Sequence, residues 1–118
     1  MNRWRRGREG EMRAERYLCQ KGYRVLDRRF RSLRGEIDLI AEKGDRVAFV
    51  EVKNWAYLDR SDLEYAIDRR KQARIVATSR LYLSAHPELR ERHIGFDVIL
   101  VSPNSPELIH YEDAFWLG

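Results

Sequence analysis

The sequence predicts an α/β fold, a mixed β-sheet flanked by helices in the order α-β-β-β-α-β-β, and three observations point to it. Stretches of strand-like and helix-like apolar spacing are interleaved along the chain. A two-residue turn, Gly44-Asp45, sits at the centre between two runs of β-formers, as in a hairpin. Finally, 118 residues without an internal repeat, a low-complexity tract or a Pro/Gly/Ser linker make a single domain, residues 1–118, with room for one core.

The first helix is expected over about residues 5–21, where Met12, Ala14, Tyr17 and Leu18 recur at helical spacing and Gly22 supplies the stop. Residues 23–27, with Phe30, read as a short strand. Residues 35–42, rich in Ile and Leu, read as a second, and residues 46–53 as a third dense in β-formers. After Trp55 and Tyr57, Ser61 and Glu64 form a Ser-x-x-Glu capping box. It opens a long helix in which Leu63, Ala66, Ile67, Ile75, Thr78, Leu81 and Tyr82 keep helical spacing up to Pro87. Residues 94–102 are an apolar strand, Pro103-Asn104-Ser105-Pro106 a turn, and residues 107–111 an edge strand.

Composition narrows the function. No apolar run approaches the roughly 18 residues of a membrane span, and the arginine-rich start lacks the apolar stretch of a secretion signal, so a cytoplasmic protein with no membrane partner is expected. Cys19 is the only cysteine, which excludes an internal disulfide and a zinc cluster of paired cysteines; it is expected as a buried or half-buried bystander. Charge is unevenly placed. Residues 1–34 hold 12 Lys/Arg against 4 Asp/Glu, whereas residues 35–118 hold 11 against 15. Such an arginine-rich third, including Arg28, Arg29, Arg31 and Arg34, suits a polyanion such as DNA, because guanidinium groups neutralise phosphates and release counterions. The plain alternative is a solvated, arginine-rich helix face.

The hairpin concentrates acids. With Gly44 and Asp45 as the turn, Lys43 lies opposite Arg46; continued up the strands, this register sets Asp38 opposite Glu51 and Glu36 opposite Lys53, all four on one face. Like charges facing each other across antiparallel strands are destabilising, and these lie among Ile37, Leu39, Val50 and Val52. A divalent cation offsets the repulsion, since hard carboxylate oxygens match Mg²⁺, and a neighbouring lysine can then orient or deprotonate a metal-bound water. The alternative is a ladder of ion pairs, Glu36 with Lys53 and an arginine with Asp38.

Gly35-Glu36-Ile37-Asp38-Leu39-Ile40-Ala41, followed after the hairpin by Phe49-Val50-Glu51-Val52-Lys53, resembles the PD-(D/E)XK nuclease superfamily, and most closely its small YraN-like branch of bacterial proteins. The resemblance covers nearly the whole chain. It includes Gly7, Glu11, Ala14 and Leu18, then Lys71-Gln72 and Tyr82-Leu83, then Phe96-Asp97-Val98 and Asp113-Ala114-Phe115. It implies a restriction-endonuclease-like core and Mg²⁺- or Mn²⁺-dependent cleavage of phosphodiester bonds. Asp38 and Glu51 would be the metal-binding acids, Lys53 the catalytic lysine and Glu11 an additional metal ligand; Lys71 and Gln72 match a basic, nucleic-acid-binding helix position. Read without the resemblance, Glu11 is a glutamate on the polar side of a helix, and Lys71 and Gln72 an exposed helix face. The chain departs from the pattern at Ile37, where the superfamily has Pro, and at Arg29, Trp55 and Gly95, where the branch prefers Asn, Arg and Arg.

Two functions follow as expectations. One is a Mg²⁺-dependent nuclease acting on DNA, including branched or otherwise structured DNA in repair or recombination, as a homodimer where two strands need two cuts. The other is a non-catalytic nucleic-acid-binding or adaptor protein that keeps the nuclease fold.

Overall fold

The structure, a computed structural model, describes residues 3–55 and 67–115, with side chains from Gly7 onward. Its elements are α1 (Arg3–Gln20), β1 (Arg24–Ser32), β2 (Gly35–Lys43), β3 (Arg46–Asn54), α2 (Arg69–Ala85), a 3-10 turn (Pro87–Leu89), β4 (His93–Ser102) and β5 (Ser105–Tyr111). The order is the one expected. One five-stranded sheet runs β1-β2-β3-β4-β5, with β3 and β4 parallel and every other neighbouring pair antiparallel. A parallel pair needs a crossover, and α2 lies within it.

A helix covers each face of the sheet. Ala14 and Leu18 of α1 pack with Leu39, Ala41, Ala48, Val50, Ile99 and Val101. Ile75, Val76 and Tyr82 of α2 pack with Ile37, Ile40, Val47, Phe49, Val98 and Leu100. The central strands are therefore apolar on both faces, which is why 47–50 and 98–101 read as unbroken apolar runs while the edge strands β1 and β5 are more exposed. Among the described residues no helix is long and apolar enough to cross a membrane.

Four expectations are corrected. The described part of the second helix begins at Arg69, because Asp68 adopts an extended backbone and its side chain accepts the Lys71 N–H, an N-cap that stops the helix from extending backwards. Ile67 belongs to the core beneath α2 without being helical; Ser61, Leu63, Glu64 and Ala66 lie outside the described residues. β1 continues through the arginines to Ser32, since its ladder with β2 runs from Arg24↔Glu42 to Ser32↔Gly35 and does not depend on apolar side chains. The last turn is shorter than expected, with β5 starting at Ser105. Cys19 is exposed, on the side of α1 away from the Ala14 and Leu18 stripe. Replacing Asp68 by Ala should cost about 1 kcal/mol, the usual loss for an N-cap, and lower Tm by roughly 5 °C in a thermal melt.

The hairpin register is the predicted one from Lys43↔Arg46 to Leu39↔Val50, and there the ladder stops. Instead of continuing it, Asp38 Oδ2 accepts the Val52 N–H at 2.8 Å. The expected pairing of Glu36 with Lys53 is not formed; Glu36 meets Arg31 of β1 at 3.5 Å. The same level is irregular on the other side of β2. Arg29, opposite Asp38, has φ 52°, a left-handed conformation uncommon outside glycine. Side-chain alternation breaks there: Arg28 reaches Glu15 of α1, yet Phe30 packs on Tyr82 of α2. Asp38 thus sits where the regular sheet opens.

Candidate functional site

Asp38 and Glu51 line a cavity of about 410 Å³ between the opened end of the hairpin and the first turns of α2, together with Gly35, Glu36, Lys71 and Arg74. Glu51 is 6% exposed, held on β3 between Val50 and Val52 with its carboxylate facing α2. Lys71 Nζ lies 2.7 Å from Glu51 Oε1 and Lys53 Nζ 3.8 Å from the same oxygen. Period two along β3 puts Glu51 and Lys53 on one face, as the sequence predicted. Lys71 stands in the first turn of α2, where its backbone N–H is capped by Asp68.

Electrostatics follow from crowding. The Asp38 carboxyl is pushed up to about 8, first by burial and then by Glu51, which lies in hydrogen-bonding contact; the Val52 N–H pulls the other way and Glu11 adds to the rise. By surface area Asp38 is only partly buried, but it is walled by β3 and its neighbouring acid, and that enclosure sets its proton affinity. Burial and the adjacent Lys71 cation lower the Lys53 ammonium below the usual lysine range, against the pull of Glu51 and Asp38. For Lys71, burial also acts downward, but contact with Glu51 outweighs it and the group stays firmly charged.

The other sequence candidates are placed as follows. Glu11 is bonded to Arg29 Nε at 2.8 Å and lines a separate cavity on the α1 side with Arg8, Met12, Glu15, Arg28 and Leu39. Arg28 makes a two-pronged contact with Glu15 at 2.7 and 2.6 Å. Arg34 is exposed at the β1–β2 turn. Gln72 donates from Nε2 to the Ile67 carbonyl at 3.2 Å. Among the described residues, no group of three or more His, Cys, Asp or Glu side chains converges as a metal-binding cluster, so the acids that meet are Asp38 and Glu51.

Sequence reasoning missed two things. Lys71 belongs to the acid pair rather than to an outer helix face, and Arg70 and Arg74 line the same cavity. Their spacing, one turn apart, was the available signal. The second is a buried polar network centred on Asp97 of β4. Asp97, 0% exposed, receives Arg46 at 2.6 and 3.0 Å, His110 Nε2 at 2.7 Å and the Asp113 N–H at 3.0 Å. Burial would raise its carboxyl, yet the bonds from His110 and Arg46 hold it below the usual carboxylate range. Tyr17 of α1 bonds His110 Nδ1 at 2.9 Å, so the network ties α1, β3, β4 and β5 together. Gly95 lies beside it, and a Cβ there would displace the ends of the Arg46 and Asp113 side chains from their present places.

Compared with known proteins, residues 10–101 match the model of a family described as "Uncharacterised protein family UPF0102". A UPF0102 protein of Bradyrhizobium sp. (strain ORS 278) is 50% identical over 102 residues, 86% of this chain and 71% of that protein. One of Rhodopseudomonas palustris (strain BisA53) is 47% identical over 102 residues, 86% of this chain and 77% of its own. One of Nitrobacter winogradskyi is 45% identical over 97 residues, 82% of this chain and 80% of its own.

Proposed function

The chain belongs to the UPF0102 family, the YraN-like group that its hairpin motifs resemble, and on that premise we propose that it is a metal-dependent nuclease hydrolysing phosphodiester bonds in DNA. The observation that carries this reading is the meeting of Asp38 and Glu51 in one cavity beside Lys53. A fold gains nothing from two touching carboxylates where a helix packs on a sheet, and a polyanion would be repelled by them; a divalent cation turns both into an advantage.

The donor set fits Mg²⁺ or Mn²⁺. Mg²⁺ is commonly held by one or two carboxylates and keeps several waters, and Asp38 and Glu51 supply that number of oxygen donors with open space in front of them. When bound, the ion supplies charge stabilisation at a phosphate and lowers the pKa of a coordinated water. The chain's own groups do the rest. Asp38 is oriented by the Val52 N–H, which leaves its other oxygen for the cation. Lys53, partly shed of its proton affinity by burial and by Lys71, can take up or hold a proton at Nζ next to Glu51. Lys71 holds Glu51 in place while the cation is absent.

One observation favours the second reading, a nucleic-acid-binding or adaptor protein that keeps the fold: Lys71 already neutralises Glu51 without any ion. Cleavage decides between them. Linear, single-stranded and branched DNA are incubated with the parent and with Asp38→Ala across a titration of Mg²⁺ and Mn²⁺. Metal-dependent products from the parent alone are expected; binding without products on all three substrates would establish the adaptor reading instead.

A further inference from the structure

We propose that Arg70 and Arg74 of α2, rather than the arginines of β1, grip the DNA backbone that flanks the acid pair, an inference that rests on reading the cavity as a phosphodiester site. Counted along the sequence, the basic charge lies in the first third. In space the arginines of β1 are answered. Arg28 is held by Glu15 at 2.6 Å, Arg29 by Glu11 at 2.8 Å and Arg31 by Glu36 at 3.5 Å, so a phosphate approaching β1 must compete with carboxylates already in place.

Two cations of α2 differ in their pairing and their place. Arg70 and Arg74 are exposed, and among the described residues neither makes an ion pair. One helical turn apart, they line the cavity that contains Asp38 and Glu51. Lys71, between them in sequence, is spoken for by Glu51. Arg74 is also fixed in position, because α2 runs hard against the β1–β2 turn: a Cβ on Gly35 would stand 3.2 Å from Arg74 Cβ, and Gly35 itself has φ 156°. An acid pair beside two exposed guanidinium groups that make no ion pair among the described residues suits a chain of phosphates, one over the acids with their cation and its neighbours on the arginines. Like charges at i and i+4 repel within a helix, so the pair is a cost to folding that a bound polyanion relieves.

The test uses the full chain in EDTA, where nothing is cut, and follows the anisotropy of a fluorescein-labelled duplex between about 50 and 200 mM KCl, the range over which phosphate contacts are most visible. Each phosphate contact contributes about −0.9 to the slope of log K against log salt, so Arg70→Ala/Arg74→Ala should flatten the parent's slope by about 1.8 and weaken binding roughly tenfold or more at the lowest salt. Arg28→Ala/Arg31→Ala should leave slope and affinity close to the parent's. Thermal melts of the α2 variant should be no lower than the parent's, since alanine keeps the Cβ against Gly35 and removes a repulsion. A parent that fails to bind, an unchanged slope in the α2 variant, or the larger loss in the β1 variant overturns the proposal. A slope that depends on Arg70 and Arg74, from a parent that never cleaves, would retain the proposal and remove the nuclease reading. Metal-dependent cleavage by the α2 variant at the parental kcat/KM would do the reverse.

Discussion

Replacing Lys53 by alanine is expected to reduce single-turnover cleavage by about two orders of magnitude or more, the usual size of a lost proton-transfer or electrostatic group, while DNA affinity stays within a few-fold. The separation follows from position. Lys53 stands 3.8 Å from Glu51, which lines the cavity, whereas the exposed cations that line it, Arg70 and Arg74, are on α2. Its proton affinity is lowered by burial and by Lys71, so it loses its proton at a lower pH than an ordinary lysine. The parental rate should therefore rise with pH and level off below the usual lysine range, and the alanine variant should lose that rise. Lys71→Ala provides the contrast. Without Lys71 beside it, the Lys53 ammonium should be held more tightly and the limb should move to higher pH. Parental turnover in Lys53→Ala would leave Lys53 as an ion-pair partner of Glu51 and nothing more.

The parts of this site that could be read in the sequence are those fixed by short-range rules. A two-residue turn and a period of two set Lys43 against Arg46 and carry the register as far as Leu39↔Val50; they also put Glu51 and Lys53 on one face. The rule fails at Asp38, because a side-chain carboxylate takes the Val52 N–H in place of a ladder acceptor, and periodicity has no means of foreseeing that exchange. The contact of Lys71 with Glu51 was not legible for a related reason. Which way a helical lysine points depends on how its helix packs on the sheet, here through Ile75, Val76 and Tyr82, and on where the helix starts, which Asp68 sets; Ser61 was the cap offered by the sequence. The arginines show the limit of counting charge. Arg28, Arg29 and Arg31 find Glu15, Glu11 and Glu36 only after α1 and β2 have packed beside β1. Asp97 announced itself as a carboxylate inside an apolar strand, but its partner Arg46 is 51 residues away.

Asp38→Asn should stabilise the protein in EDTA and destabilise it, relative to the parent, in Mg²⁺ or Mn²⁺. In the metal-free fold the Asp38 carboxyl is pushed up to about 8, above its value in an unfolded chain, by burial and by Glu51. Between about pH 4 and 8 the folded state thus binds more protons than the unfolded one, so this group makes the parent lose stability as pH rises through that window. Asparagine keeps an oxygen for the Val52 N–H and carries no charge, so its variant should lack that decline. At pH 8 the gain should be on the order of 2 kcal/mol, well below the full shift because the cavity is open to water, and roughly 5–10 °C in Tm. At pH 4 the two should melt together. A cation bound only by the folded state adds RT ln(1 + [L]/Kd), about 1.4 kcal/mol at ten times Kd, and the asparagine variant should lose most of it. Melts of both proteins at several pH values, with EDTA and with each metal, read the two effects separately. Equal metal responses would show that Asp38 is not a ligand, and a gap between the two proteins that does not widen from pH 5 to pH 8 without metal would show that burial and Glu51 do not raise its carboxyl.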